Sequence, residues 1–141
     1  MIADLIGIPY LNQGRDKSVG LDCWGLLRVF YREHLGVYLP SFQDVYQDAL
    51  DNVAVAAAMD AHQGTWVSVK RPVYGDAVRL RLRGDACHVG VYLGHGQMLH
   101  TQVGHDSALD RLDDPRWRHR IAGYYRHRDL MPHHLSLGSP S

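Results

Sequence analysis

The sequence predicts an α+β domain, with N-terminal helices packed on a central antiparallel sheet, and three observations carry that reading. Apolar residues after Asp22 recur at helical spacing. An Ala-rich stretch runs from Val53 to Ala61, where helix propensity is high. From Trp66 onward, short runs of alternating apolar and polar residues are separated by turn residues. The 141 residues suit one domain with a useful core, and an apolar content of 45% is ordinary for a folded protein.

The elements follow in chain order. Ala3 to Ile6 reads as a short first helix. Asp22 to about Leu35 is a strong helix on which Leu26, Leu27, Phe30 and Tyr31 share a face, and Gly36 can stop it. Ser41 to about His62 reads as further helix, ended by Gly64. Trp66 to Val69 is a short extended piece, and Val73-Tyr74-Gly75-Asp76 is a turn. Ala77 to Leu82 alternates apolar residues with arginine, as a half-solvated strand does. Arg83-Gly84-Asp85 reads as a loop. Two strands carrying His88 and His100 follow, then strands near Ser107 to Leu112 and from Arg120 to Arg126. The domain is expected to span 1–130, with a loose tail over 131–141 that contains Pro132, Gly138 and Pro140.

The candidate chemistry starts at Asp22-Cys23-Trp24-Gly25-Leu26-Leu27. Asp22 suits the N-cap of the strong helix, because its carboxylate can accept from backbone N–H groups one turn on. Cys23 then lies where the helix dipole and unpaired N–H groups favour negative charge. A thiol so placed ionises more readily and can act as a nucleophile. The plainer alternative is a small apolar residue in the core, since free cysteine is commonly buried.

A nucleophilic cysteine needs a base, and the base needs an orienting group. Ala86 to Gly94 and Gln97 to Thr101 read as two strands joined through Gly94-His95-Gly96. A three-residue loop would pair Leu93 with Gln97 and Gly90 with His100, leaving His88 and His100 diagonal on one face. A two-residue loop would shift the register by one and separate them. The triad Cys23, His88 and His100 therefore requires the odd loop or a bulge.

These residues resemble the NlpC-type cysteine peptidases, the NlpC/P60 superfamily, which cut peptide stems of bacterial cell walls. Ile8-Pro9-Tyr10 with Gly14 is similar to the family's segment ahead of the nucleophile. Asp22-Cys23-Trp24-Gly25-Leu26 resembles its Asp-Cys-(Ser or Trp)-Gly-Leu motif. Gly75-Asp76-Ala77-Val78 resembles the turn that starts its sheet. His88 to Gly94 resembles the base-bearing strand, and Met98-Leu99-His100 its third catalytic position. The resemblance covers roughly Ile6 to Thr101 and implies a papain-like NlpC-type fold. It implies that Cys23 attacks an amide carbonyl, that His88 takes and returns the proton, and that His100 orients His88. Tyr10 and Asp22 are implied at the oxyanion or substrate side. No cofactor and no metal is expected. The chain departs from the family at Asn12-Gln13-Gly14, where paired glycines are usual.

Trp24, with Arg28, Tyr31 and Gly36-Val37-Tyr38-Leu39-Pro40, is similar to the phage branch, whose members are tail-tip components. That resemblance implies a tail-tip peptidoglycan endopeptidase that cleaves next to a diaminopimelate residue. It would be made in the host cytoplasm and act in the host wall, with stem peptides as substrate and other tail-tip proteins as partners. The N-terminus has no basic region followed by a long apolar run, so no signal peptide is expected, and no stretch approaches a membrane span. Fifteen basic residues balance fifteen acidic ones, so net charge does not call for nucleic acid. The segment with His119-Arg120, Arg126-His127-Arg128 and His133-His134 reads as a solvated basic face. Two cysteines make no disulfide framework, and Cys87 should face the core. The rival readings are a zinc site, a thiol amidase or acyltransferase of similar fold, and a structural tail-tip adaptor.

Overall fold

The structure, a computed structural model, describes residues 2–41, 65–82 and 85–131. A single 3-10 turn, Ile2–Leu5, opens the chain. It lies one residue ahead of the expected short helix, and Gly7, with a left-handed φ of 85°, follows it. A two-stranded ribbon comes next, β1 (Arg15–Asp16) and β2 (Gly20–Leu21). Its turn is held by Asp16, whose carboxylate accepts from both the backbone N–H and the hydroxyl of Ser18. The sequence reading did not anticipate this ribbon.

The helix α1 (Cys23–Phe30) continues through a wider π-helical turn, Tyr31–Leu35. It ends at Gly36 in the left-handed conformation, φ 68°, as expected. The predicted helix over Ser41 to His62 falls almost wholly outside the described residues, as do the expected tail from Pro132 onward and the Cys87 side chain.

Six strands form the sheet: β3 (Trp66–Val69), β4 (Ala77–Leu82), β5 (Asp85–Gly94), β6 (Gln97–His100), β7 (Ala108–Arg111) and β8 (Ile121–His127). Their spatial order is β3-β8-β4-β5-β6-β7, and every neighbouring pair is antiparallel. The helix followed by antiparallel strands is the expected α+β architecture. Asp85 already pairs with Leu82, so β5 starts earlier than the sequence predicts and takes in the end of the expected loop.

Both faces of the sheet are covered. Leu26, Leu27 and Phe30 of α1 share a core with Ala77, Val89, Val91 and Leu99. The alternating positions Val78, Leu80 and Met98 join Leu112 and Trp117 in a second cluster. Tyr31 ties helix to sheet by donating its hydroxyl to the Gly75 carbonyl, and Asp76 beside it is fully buried. Arg126 binds that carboxylate through two N–H groups, each at 2.9 Å. Arg126 and the buried His127, which packs on Trp66 and Tyr31, depart from the expected solvated basic face, whereas His119, Arg120 and Arg128 are exposed as expected. They lie on an interior strand of the sheet, where the Arg126 charge is paired with Asp76.

The hairpin between β5 and β6 settles the register. Val91 pairs with Leu99 and Tyr92 with Met98, but Gly94 pairs with Gln97. The loop is thus two residues, His95-Gly96, with Leu93 as a bulge that restores the register of the longer loop. His95 and Gly96 both take positive φ, 54° and 76°.

Candidate active site

Cys23 is the first residue of α1, and the chain folds tightly around it. Asp22 is the extended N-cap, and its Oδ1 accepts from Gly25 N–H at 2.7 Å. The same carboxylate accepts from Gln13 N–H at 3.0 Å and from Arg15 Nη1 at 2.8 Å. Arg15 also reaches the Gly14 and Ser41 carbonyls. Asp22 has no exposed surface. Its carboxylate caps the helix and pins the 13–15 loop.

Gly25 explains why the motif carries glycine. A Cβ there would lie 2.0 Å from the Gly14 carbonyl oxygen. Gly14 is equally constrained, since its own Cβ would lie 2.2 Å from Gly20 O. The helix start and the loop before it meet backbone to backbone. Trp24 Nε1 donates to Pro40 O at 2.8 Å, and Arg28 Nε donates to Leu39 O at 3.0 Å, so both anchor the segment after Gly36 to α1. Tyr10 bridges to Leu21, two residues before the cysteine, and packs against the cluster that contains Cys23. Cys23 itself is buried, with 4% exposure.

The helix opened by Cys23 packs on β5 and β6, the strands that carry His88 and His100. Both histidines are buried. His88 Nε2 lies 3.0 Å from His100 Nδ1. His100 Nε2 lies 2.7 Å from Asp110 Oδ2 on β7. Trp117 stacks on the His88 ring at 6.1 Å, meets His100 edge-on at 4.9 Å, and donates its Nε1–H to Asp110 at 3.3 Å. Gly90 makes room for the pair: a Cβ there would lie 3.1 Å from Leu99 O and 3.2 Å from His100 Cβ.

Burial pushes the His88 imidazole down to about 3, and the neighbouring His100 adds to this. His88 is therefore neutral at physiological pH and can accept a proton. Burial lowers His100 as well, against the opposing pull of Asp110. Burial alone would raise Asp110, but hydrogen bonds and charge from His100 and Arg116 hold its carboxyl below the usual range. Asp110 is thus a carboxylate beside a neutral imidazole. Among the described residues, no group of three or more His, Cys, Asp or Glu side chains is arranged to hold a metal ion.

A thiol at a capped helix start, and a buried, hydrogen-bonded histidine pair on the strands that this helix packs against, invite comparison with known peptidases. The family model "NlpC/P60 family" matches residues 7–126. The chain belongs to the NlpC/P60 family. It is 28% identical over 118 residues to an Escherichia coli protein named murein DD-endopeptidase MepS/murein LD-carboxypeptidase, covering 84% of this chain and 55% of that one. It is 27% identical over 127 residues to the gamma-DL-glutamyl hydrolase of Bacillus subtilis, covering 89% of this chain and 27% of the relative. The chain therefore spans about half the length of the first of these relatives and less of the second. Among solved structures, the NlpC/p60 domain of the peptidoglycan hydrolase SagA superposes with a TM-score of 0.59 at 26% identity, covering 89% of this chain and 94% of that domain. This agreement fixes the papain-like NlpC/P60 fold.

Two residues that touch the histidine pair escaped the sequence reading, Asp110 and Trp117. Asp110 pairs with Met98, which puts it diagonal to His100 on the same face. The strand holding Asp110 was predicted, but the 101–107 connection, although it turns at Gly104, is too long to fix its register. Trp117 reaches the histidines from a turn, where no periodicity announces it.

Proposed function

We propose that this NlpC/P60 domain is a cysteine peptidase that hydrolyses amide bonds in the peptide stems of peptidoglycan. The observation that carries this reading is the buried His88–His100 pair, held at 3.0 Å on the strands beneath the helix that Cys23 opens. In the proposed reaction His88 takes the Cys23 proton and the sulfur attacks the carbonyl carbon. The resulting oxyanion is met by the Cys23 backbone N–H and the Tyr10 hydroxyl. Collapse expels the amine, which receives the proton from His88, and leaves a thioester on Cys23. Water, deprotonated by His88, then releases the acid and restores the thiol. The helix start sets the positive end of the helix dipole where negative charge develops. The names of the relatives, a murein endopeptidase and a γ-glutamyl hydrolase, support a bond in the stem such as D-γ-glutamyl next to diaminopimelate.

The delivery route we propose is a phage or prophage tail tip, with other tail-tip proteins as partners and the host wall as the place of action. It draws support from Trp24 and Arg28, which bond to Pro40 and Leu39 and so join the two pieces of the phage-like pattern. A bacterial wall hydrolase is the second reading, favoured by the bacterial relatives.

The test is release of fragments from purified peptidoglycan by the wild type and by Cys23→Ala, with products identified by mass. Release by the wild type alone is expected, and the masses name the bond. No release by either, from folded protein whose Cys23 still alkylates, would replace the peptidase with a structural tail-tip adaptor.

A further inference from the structure

The sheet carries the histidine pair one group further than a cysteine–histidine–histidine set requires. Asp110 sits behind His100, and it is itself held. Its Oδ2 receives His100 Nε2 at 2.7 Å and Trp117 Nε1 at 3.3 Å, while its Oδ1 receives Arg116 Nη2 at 2.9 Å. Arg116 in turn is fixed by Asp114 and lies 6.0 Å from the centre of the Trp117 ring. The Asp110 side chain is 22% exposed, yet every one of these donors points at it.

A carboxylate only accepts hydrogen bonds. His100 must therefore present Nε2–H to Asp110. A neutral His100 then has a lone pair on Nδ1, and Nδ1 must accept from His88 Nε2. That places the single proton of neutral His88 on Nε2 and leaves its Nδ1 as the free base. Each step follows from the one before it, since a neutral imidazole has one donor and one acceptor nitrogen.

We infer that Asp110 is a positioning residue that sets the tautomers of both His100 and His88, so that His88 offers Nδ1 to the proton of the nucleophile. The inference rests on the peptidase reading for its consequence in catalysis, but the tautomers themselves can be observed without substrate. Asp110 neither touches substrate nor changes charge during turnover; it acts through His100. The reverse order would still join the two rings, but it fails at Asp110. With Nδ1–H on His100, Nε2 and a carboxylate oxygen would face each other as two acceptors at 2.7 Å.

Asp110→Asn reverses the pattern at constant shape. Arg116 pulls the amide oxygen to the Oδ1 position, and the amide NH2 then faces His100 Nε2. His100 becomes the Nδ1–H tautomer and His88 follows, so its proton moves onto the nitrogen that should be the base. Misdirecting the imidazole in this way resembles the loss of the orienting acid in serine peptidases.

The experiment is nitrogen-15 NMR of the histidine-labelled full chain, read together with peptidoglycan turnover. In the wild type at pH 7, both His88 and His100 are expected as Nε2–H tautomers. In Asp110→Asn both are expected to shift to Nδ1–H, with kcat lower by roughly 10²-fold and KM little changed. Asp110→Glu is expected to restore the Nε2–H pattern and part of the rate. A purely structural Asp110 would lower the thermal midpoint without moving the tautomers, and that result overturns the proposal. Should Asp110→Asn fail to fold, an Nδ1–H tautomer on either histidine of the wild type overturns it alone. Wild-type protein with the expected tautomers but no peptidoglycan turnover would remove the peptidase reading and leave the positioning of the two rings standing.

Discussion

Gly25 shows how much one missing methyl group decides. The motif reads as a nucleophile signature, yet its glycine serves a packing need, because the first turn of α1 touches the Gly14 carbonyl directly. Gly25→Ala is expected to cost at least about 1–3 kcal/mol through overpacking, read as a lower urea midpoint, even though alanine favours helix. An unchanged midpoint would mean that the loop and helix are free to part. Trp24 and Asp22 belong to the same joint, one anchoring Pro40 and the other Gln13 and Arg15. The capping preference of Asp22 was legible from its residue type and place. Its full burial was not, since that depends on Arg15 arriving from a ribbon whose four paired residues carry no periodicity.

At the level of the hairpin, the two histidines meet because of a bulge and a glycine. Leu93 bulges, and Gly90 leaves space opposite His100. Gly90→Ala places a Cβ 3.2 Å from His100 Cβ, so the strand must give by a few tenths of an ångström. Turnover is expected to fall about tenfold, while the thermal midpoint changes little; loss of fold and activity together would mean that Gly90 serves packing alone. The strands themselves were readable from alternation, and so was the requirement that an odd loop or a bulge bring His88 and His100 to one face. Which of the two devices operates was not readable, because Gly94-His95-Gly96 satisfies both. Asp110 stayed hidden for a related reason: pairing across the 101–107 connection is fixed by packing rather than by a short turn.

Over the whole molecule, the buried histidines make stability depend on pH. Unfolded histidine protonates near pH 6.5, at about its model value. Folded His88 stays neutral down to about pH 3. Between these values the unfolded chain binds the extra proton, so acid favours unfolding. The contribution is complete above about pH 6.5 and is lost progressively as pH falls toward 3. His100 and His127 shift downward through burial and add to the same slope. The urea midpoint is expected to fall between pH 7 and pH 4.5, and His88→Gln should flatten that fall. An equally steep fall in His88→Gln would assign the effect to other groups. The global order of helix before sheet was legible because the two periodicities occupy separate stretches of chain. The strand order was not, since no local signal in Ile121–His127 says that it enters between β3 and β4.

That insertion has a consequence in time. The last described strand enters between the edge strand β3 and β4, about fifty residues of chain beyond the first and nearly forty beyond the second. Contacts so distant along the chain form late and slowly. A ribosome has therefore made the cysteine and both histidines well before the sheet beneath them is whole. Asp76, itself fully buried, meanwhile waits for Arg126, its ion-pair partner. Until that arginine emerges, an unpaired carboxylate would have to enter the core, and the half-made chain gains little by closing around it.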